Sequence, residues 1–205
     1  MSYRLGVDVG GTFTDLVLVS PSGVARTCKV LSTTANYAEA IITGIRELTA
    51  LAGIPARDIG EIIHGTTVAT NAILERRGAR AGLLTTEGFR DLLEIGRLRL
   101  SRLYDLDFER PAPLVPRRWR REIRERMNHR GEVVTPLDRE GAAAAIDRLL
   151  AEGVESIAVC FLHAYANSTH ETQVGAMIRE RAPHVALTLS SEILPEMREF
   201  ERTST

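Results

Sequence analysis

The chain has 205 residues, 44% apolar and 26% charged, which suits one sizeable α/β domain or a domain with a small insertion and argues against disorder. With 26 basic and 27 acidic residues the net charge is −1, so no global field points to nucleic acid or to an anionic membrane. No window holds the ~18 consecutive apolar residues of a bilayer span, and the opening MSYRLGVDVGG does not read as a signal peptide. The cysteines, Cys28 and Cys160, are isolated, so they predict small buried residues in a reducing cytoplasm rather than a disulfide or a zinc site.

In chain order, residues 3–9 (YRLGVDV) predict a buried strand that runs into a Gly10-Gly11-Thr12 turn. Residues 16–20 and 24–31 predict two more strands, separated by Pro21-Ser22-Gly23. Turns this short make the three antiparallel neighbours, since a parallel crossover needs a dozen or more residues. Residues 37–52 set Ala38, Ile41, Ile42, Ile45, Leu48 and Leu51 at helical spacing, and Gly53-Ile54-Pro55 stops the run. A brief strand at 61–63, a helix at 67–77, a strand at 80–85 and a short helix at 88–95 follow. The stretch 97–118, with Pro111, Pro113 and Pro116, predicts a long ordered loop in which Arg97, Tyr104 and Asp105 could meet a substrate. Beyond it come a strand at 119–127, a helix at 138–152, a strand at 155–162, a helix at 168–181 and a strand at 185–190. Antiparallel strands followed by alternating helix and strand predict an α/β fold with a mixed sheet flanked by helices.

The chemistry concentrates at Asp8-Val9-Gly10-Gly11-Thr12-Phe13-Thr14-Asp15. Adjacent glycines let bare N–H groups approach a ligand, Thr12 and Thr14 add hydroxyls, and Asp8 and Asp15 offer oxygen ligands to a hydrated magnesium ion. No lysine follows, so this is not a P-loop, and a strand rather than a helix follows, so it is not a dinucleotide fingerprint. The competing reading is a plain hairpin in which the glycines supply positive φ. A second motif, His64-Gly65-Thr66-Thr67-Val68-Ala69-Thr70-Asn71, leaves a strand and enters a helix that Thr66 or Thr67 can cap, with His64 at the strand end.

The strand–Asp-x-Gly-Gly-Thr–strand hairpin resembles the first phosphate loop of the actin/Hsp70/sugar-kinase (ribonuclease H-like) superfamily. Three further segments narrow the likeness: HGTTVATNAILER, ERPAPLVPRRWRREIRERMNHRGEVVTPLD and the closing SSEILPEMREFERTST. Together these resemble the N-terminal region of the hydantoinase A/5-oxoprolinase family along the whole chain. The resemblance implies an ATP- and Mg2+-using enzyme that phosphorylates a ring carbonyl oxygen of 5-oxoproline, hydantoin or N-methylhydantoin before hydrolysis.

By that likeness Asp8 holds the metal and is catalytic with His64. Gly10, Gly11, Thr12 and Thr14 cradle the phosphates, with Asp15, Thr66, Thr67 and Asn71 as further contacts. The implied partners are a small cyclic amide and a hydantoinase B-type subunit or domain, in an oligomer when full length, with no nucleic acid and no membrane. Residues 1–190 form the expected N-terminal domain, with an excursion at about 97–136, and 191–205 open the next domain. The superfamily's second phosphate loop and adenosine segment do not occur in the chain, which reads as a fragment or truncated gene product with weak ATP binding and no turnover alone. Rival readings are a subunit of an ATP-dependent ketone (acetone or acetophenone) carboxylase, a non-catalytic actin-like ATP-binding module and a sugar kinase.

Other signals carry less. The seven arginines and two glutamates around Trp119 at 117–130 predict an alternating strand with Ile123 inward and arginines outward. His163, after the strand AVCFL, could reach a site at the sheet edge but reads as a structural group. His129, His170 and His184 call for no special role, and Glu196, Arg198, Glu199 and Glu201 suit a charged helix face.

Overall fold

Alternation of apolar residues builds the first sheet. In β1 (Tyr3–Val9) and β2 (Phe13–Val19), Leu5, Val7, Val9, Leu16 and Leu18 point to one face and are essentially inaccessible. The computed structural model describes residues 2–97, 107, 109 and 111–205. They form two compact units, Met1–Gly78 and Ala79–Thr205.

In the first unit the strand order is β3-β2-β1-β4, with β3 spanning Ala25–Leu31 and β4 Ile59–Thr66. The three expected strands are antiparallel, and β4 joins β1 in parallel after the crossover helix α1 (Tyr37–Ala52), so this sheet is mixed. Asn36 caps α1 by accepting from the N–H of Ala38, and Gly53 closes it in the left-handed conformation that glycine adopts without cost. The helix buries Ala40, Gly44 and Leu48 against β2 and β3. Gly44 is obligatory for that approach, since a Cβ there would stand 2.3 Å from Leu16 Cδ1. A short helix α2 (Val68–Leu74) follows β4 and ends earlier than the sequence predicts.

The second unit carries a wholly parallel sheet, β10-β9-β5-β6, from Ala186–Leu189, Ser156–Cys160, Ala81–Thr86 and Arg120–Ile123. Helices α4 (Arg139–Ala151) and α5 (Thr169–Arg181) contribute Ile146, Leu149, Val174 and Ile178 to its core; α3 (Leu92–Ile95), α6 (Ser190–Ile193) and α7 (Glu199–Ser204) are single turns or little more. The strand expected over 119–127 is broken. β6 ends at Ile123, Glu125 turns inward, and Arg126–Met127 (β7) pairs with Val133–Thr135 (β8) as a hairpin. Tyr104 and Asp105 lie outside the described residues, and Arg97 is ion-paired with Glu201. Cys160 is buried as expected, but Cys28 is only half-buried. Among the described residues no helix is long and apolar enough to cross a membrane.

Candidate functional site

The turn between β1 and β2 is held from behind. The Gly10 N–H donates to Phe13 O at 2.9 Å, and Ser32 secures two further carbonyls: its hydroxyl donates to Gly10 O (2.8 Å) and its N–H to Thr12 O (2.9 Å). Thr14 is fully buried and its hydroxyl meets Ser32 Oγ at 2.9 Å, so any influence it has on a ligand passes through the turn rather than through contact. By contrast the N–H groups of Gly11 and Thr12 have no acceptor among the described residues. Two donors are therefore left at the tip of a rigid turn, the arrangement that binds anions in backbone concavities.

Neither glycine needs its special conformational freedom here, because neither has φ in the left-handed region. This corrects the plain-hairpin reading. Gly10 is glycine for lack of space, since a Cβ would lie 2.9 Å from Phe13 O. Gly11 has no such neighbour: its Cβ would meet only the end of the Asn71 side chain, at an ordinary 3.4 Å. The fold leaves the absence of a side chain at Gly11 unexplained, and a bare backbone of this kind permits the close approach of a ligand.

β4 and α2 are tied to the same turn. Val9 O accepts from the Thr67 N–H (3.1 Å) and from the Thr66 hydroxyl (3.2 Å), which also accepts from the Val68 N–H (3.2 Å). Thr67 is the N-cap residue of α2 but its side chain makes no capping bond; the Thr66 hydroxyl takes the first helical N–H instead. Beside the turn opens a cleft of about 410 Å3 lined by Gly11, Thr12, Thr34, Tyr37, Asn71 and Arg77, among others. The structure so gathers Gly11, Thr12 and Asn71, and adds Thr34, Tyr37 and Arg77, which no sequence motif marked. Ser32 was legible only through the β2–β3 register, which pairs Phe13 with Leu31 and so brings the next residue to Thr12.

Asp8 and Asp15 are direct cross-strand partners, both turned away from the core. Asp15 is ion-paired with Lys29 at 3.2 Å, whereas Asp8 has no cation partner among the described residues. Among the described residues no three His, Cys, Asp or Glu side chains converge as a direct metal cage. A single acid fits a hydrated ion held through water, the form in which magnesium is commonly bound. His64 does not join Asp8. It pairs with Val7 in the β1–β4 ladder and so projects from the other face of the sheet, exposed.

An α/β unit of β-β-β-α-β-α order with a glycine turn at the end of its first strand defines an actin-like fold. The hydantoinase/oxoprolinase N-terminal region model matches residues 4–182, and the chain belongs to that family. It is 39% identical over 209 residues to the caprolactamase subunit alpha of Pseudomonas jessenii, covering 99% of this chain and 30% of that protein. The crystal structure of that ATP-dependent caprolactamase aligns with a TM-score of 0.85 at 37% identity, over 99% of this chain and 30% of that one. Acetone carboxylase, in a nucleotide-free structure, aligns with a TM-score of 0.90 at 28% identity, over 100% of this chain and 31% of that one. 5-Oxoprolinase 1 of Arabidopsis thaliana is 33% identical over 228 residues, covering 97% of this chain and 18% of its own. The chain thus spans less than a third of the length of these relatives.

Proposed function

We propose that this chain is the phosphate-holding region of an ATP-dependent enzyme that opens cyclic amides. The observation that carries the reading is the pair of unpartnered N–H groups at Gly11 and Thr12, beside a glycine whose missing side chain the fold does not require. Asn71, at the cleft wall, is a further polar group for the same ligand. Asp8, without a cation partner among the described residues, is the group suited to hold a hydrated magnesium ion, whereas Asp15 is neutralised by Lys29. When bound, ATP with its metal supplies the transferable phosphoryl group, and phosphoryl transfer asks of the protein mainly positioning and charge stabilisation. The rigid back of the turn, Ser32 and Thr14 behind and Thr66 beside it, keeps the donors in place without reorganisation.

The substrate in this reading is a lactam or hydantoin whose carbonyl oxygen is phosphorylated before water attacks. Higher identity to the caprolactamase (37%) than to the acetone carboxylase (28%) supports ring hydrolysis over ketone carboxylation. The closer superposition on the carboxylase, TM-score 0.90 against 0.85, keeps the second reading in play. A hydantoinase B-type partner, supplied as a subunit or as a further domain, belongs to both. His64 falls outside this proposal as a partner of Asp8, since the two leave opposite faces of the sheet. Incubating the full-length gene product with ATP and either lactams and hydantoins or ketones with bicarbonate separates the readings by product: ring-opened amino acid or carboxylated ketone.

A further inference from the structure

The second unit contains a group of buried ionisable side chains that the phosphate turn does not use, and all of them converge on one short loop. Phe161, Leu162 and His163 follow β9, a central strand of the parallel sheet, at its carboxyl end, where α/β folds place ligand sites. Successive backbone groups of this loop are held by side chains from three elements, α5, α7 and β5. The Phe161 N–H donates to buried Glu171 of α5 (2.9 Å), and Phe161 O accepts from buried Arg202 of α7 (2.8 Å). The Leu162 N–H donates to Thr86 Oγ1 at the end of β5 (2.8 Å), and Thr86 is in turn bonded to Glu125, itself bonded to His170 at 2.8 Å. The His163 N–H donates to Glu199 of α7 (3.3 Å), whose same oxygen accepts from Arg202 (3.2 Å).

What this frame holds is a histidine in the left-handed region, at φ 57°. A non-glycine residue keeps such a conformation only where its surroundings over-determine it, and strain of this kind gathers at functional positions. The imidazole itself is not buried with the frame: its side chain is 23% exposed. Its Nδ1 lies 3.3 Å from the Tyr165 hydroxyl and 3.9 Å from Glu199 Oε1, and Nε2 has no partner among the described residues. The charged groups facing it are Glu199 and Arg202, with Arg202 also lying over the Tyr165 ring at 5.6 Å. One ring nitrogen is oriented, the other is presented outward, and the backbone beneath is immobilised. That is the arrangement of a proton-transfer group rather than of a core histidine.

We propose that His163 is the acid–base residue of the hydrolytic step, with Tyr165 and Glu199 as positioning residues; this rests on the ring-hydrolase reading. As the oxygen of water bonds to the activated carbonyl carbon, its proton passes to Nε2. The same proton is then delivered to the ring nitrogen as the carbon–nitrogen bond breaks and nitrogen keeps the electron pair. The carbonyl re-forms from the new hydroxyl oxygen, whose proton goes to solvent, and the acyl phosphate so made releases inorganic phosphate to a second water. The imidazole ends as it began.

The test is His163→Gly and His163→Asn in the full-length gene product, both compatible with the left-handed backbone. The expected result is a Tm within about 3 °C of wild type and unchanged ATP affinity, but amide-stimulated turnover at least ~100-fold lower, as for loss of a general acid–base. Added imidazole restores part of the activity of His163→Gly and none of that of wild type. Turnover within threefold of wild type, or a loss that imidazole does not touch, overturns the proposal. Absence of amide-stimulated turnover in the wild type is a different outcome, which removes the ring-hydrolase reading and this inference with it.

Discussion

Replacing Gly11 by Ala separates what the turn needs in order to fold from what it needs in order to bind. The new Cβ would stand 3.4 Å from Asn71 Nδ2, a movable side-chain end, and φ is outside the left-handed region, so the fold accepts it. A Gly-to-Ala change at a compatible position stabilises by about 0.4–1 kcal/mol through the unfolded chain, so Tm should hold or rise by a few degrees. Binding should behave otherwise. The methyl blocks approach to the free N–H groups of Gly11 and Thr12, and a hydrogen bond to a charged oxygen contributes about 1.5–3 kcal/mol, so losing one weakens ATP roughly 10- to 150-fold. Titration calorimetry with Mg-ATP and thermal unfolding of the full-length gene product measure the two effects. Gly10→Ala is the control: its Cβ would sit 2.9 Å from the Phe13 carbonyl, so it should lose about 1–3 kcal/mol of stability as well as affinity. A Gly11→Ala protein with wild-type Tm and a Kd within twofold of wild type would refute the assignment of the turn.

Cys28 should be a slow thiol. Burial, then its hydrogen bond to Glu47 Oε2 at 3.0 Å, pushes its pKa up to about 11. At pH 8 that cuts the thiolate about 100-fold while raising its nucleophilicity severalfold, so alkylation by iodoacetamide should run about tenfold slower than for an ordinary thiol and quicken in Glu47→Ala. Acid should loosen the second unit. Asp91, hydrogen-bonded by Arg117, and Glu201, hydrogen-bonded by Arg97, have carboxyls held below their ordinary ranges, so their contribution is present above those ranges and is lost as pH falls through the depressed values. Tm should therefore fall on acidification below about pH 4, less steeply in Arg117→Ala. Glu171→Ala should cost more than about 2 kcal/mol in urea unfolding, because the buried carboxylate accepts from the Phe161 and Ser191 N–H groups and the Ser190 and Ser191 hydroxyls.

The elements that the sequence made legible are those written in local pattern. Alternating apolar residues placed β1, and helical spacing stopped by Gly53-Ile54-Pro55 placed α1. What escaped depends on contacts between distant residues. The arginine run at 117–130 looked like a solvated strand face, yet Arg120 is fully buried because Val115 O, Arg90 O and Glu94 together satisfy its guanidinium. Glu125 and His170 form a buried pair, and nothing in their local sequence separates them from surface residues. At the site, Gly10, Gly11 and Thr12 could be read from composition and spacing. The inward turn of Thr14 and the opposite faces of Asp8 and His64 follow from register, which the motifs alone do not reveal. His163 was weighed as a group near the sheet edge and discounted, because its distinguishing feature is a backbone angle.

The most direct test of the central claim is ADP release by the full-length gene product supplied with ATP, Mg2+ and in turn 5-oxoproline, hydantoin and caprolactam, comparing wild type with Asp8→Ala. Stimulation by at least one cyclic amide, abolished in Asp8→Ala while the fold is retained, is the predicted result. Undiminished stimulation in Asp8→Ala, or ATP bound by wild type with no response to any cyclic amide, would contradict it.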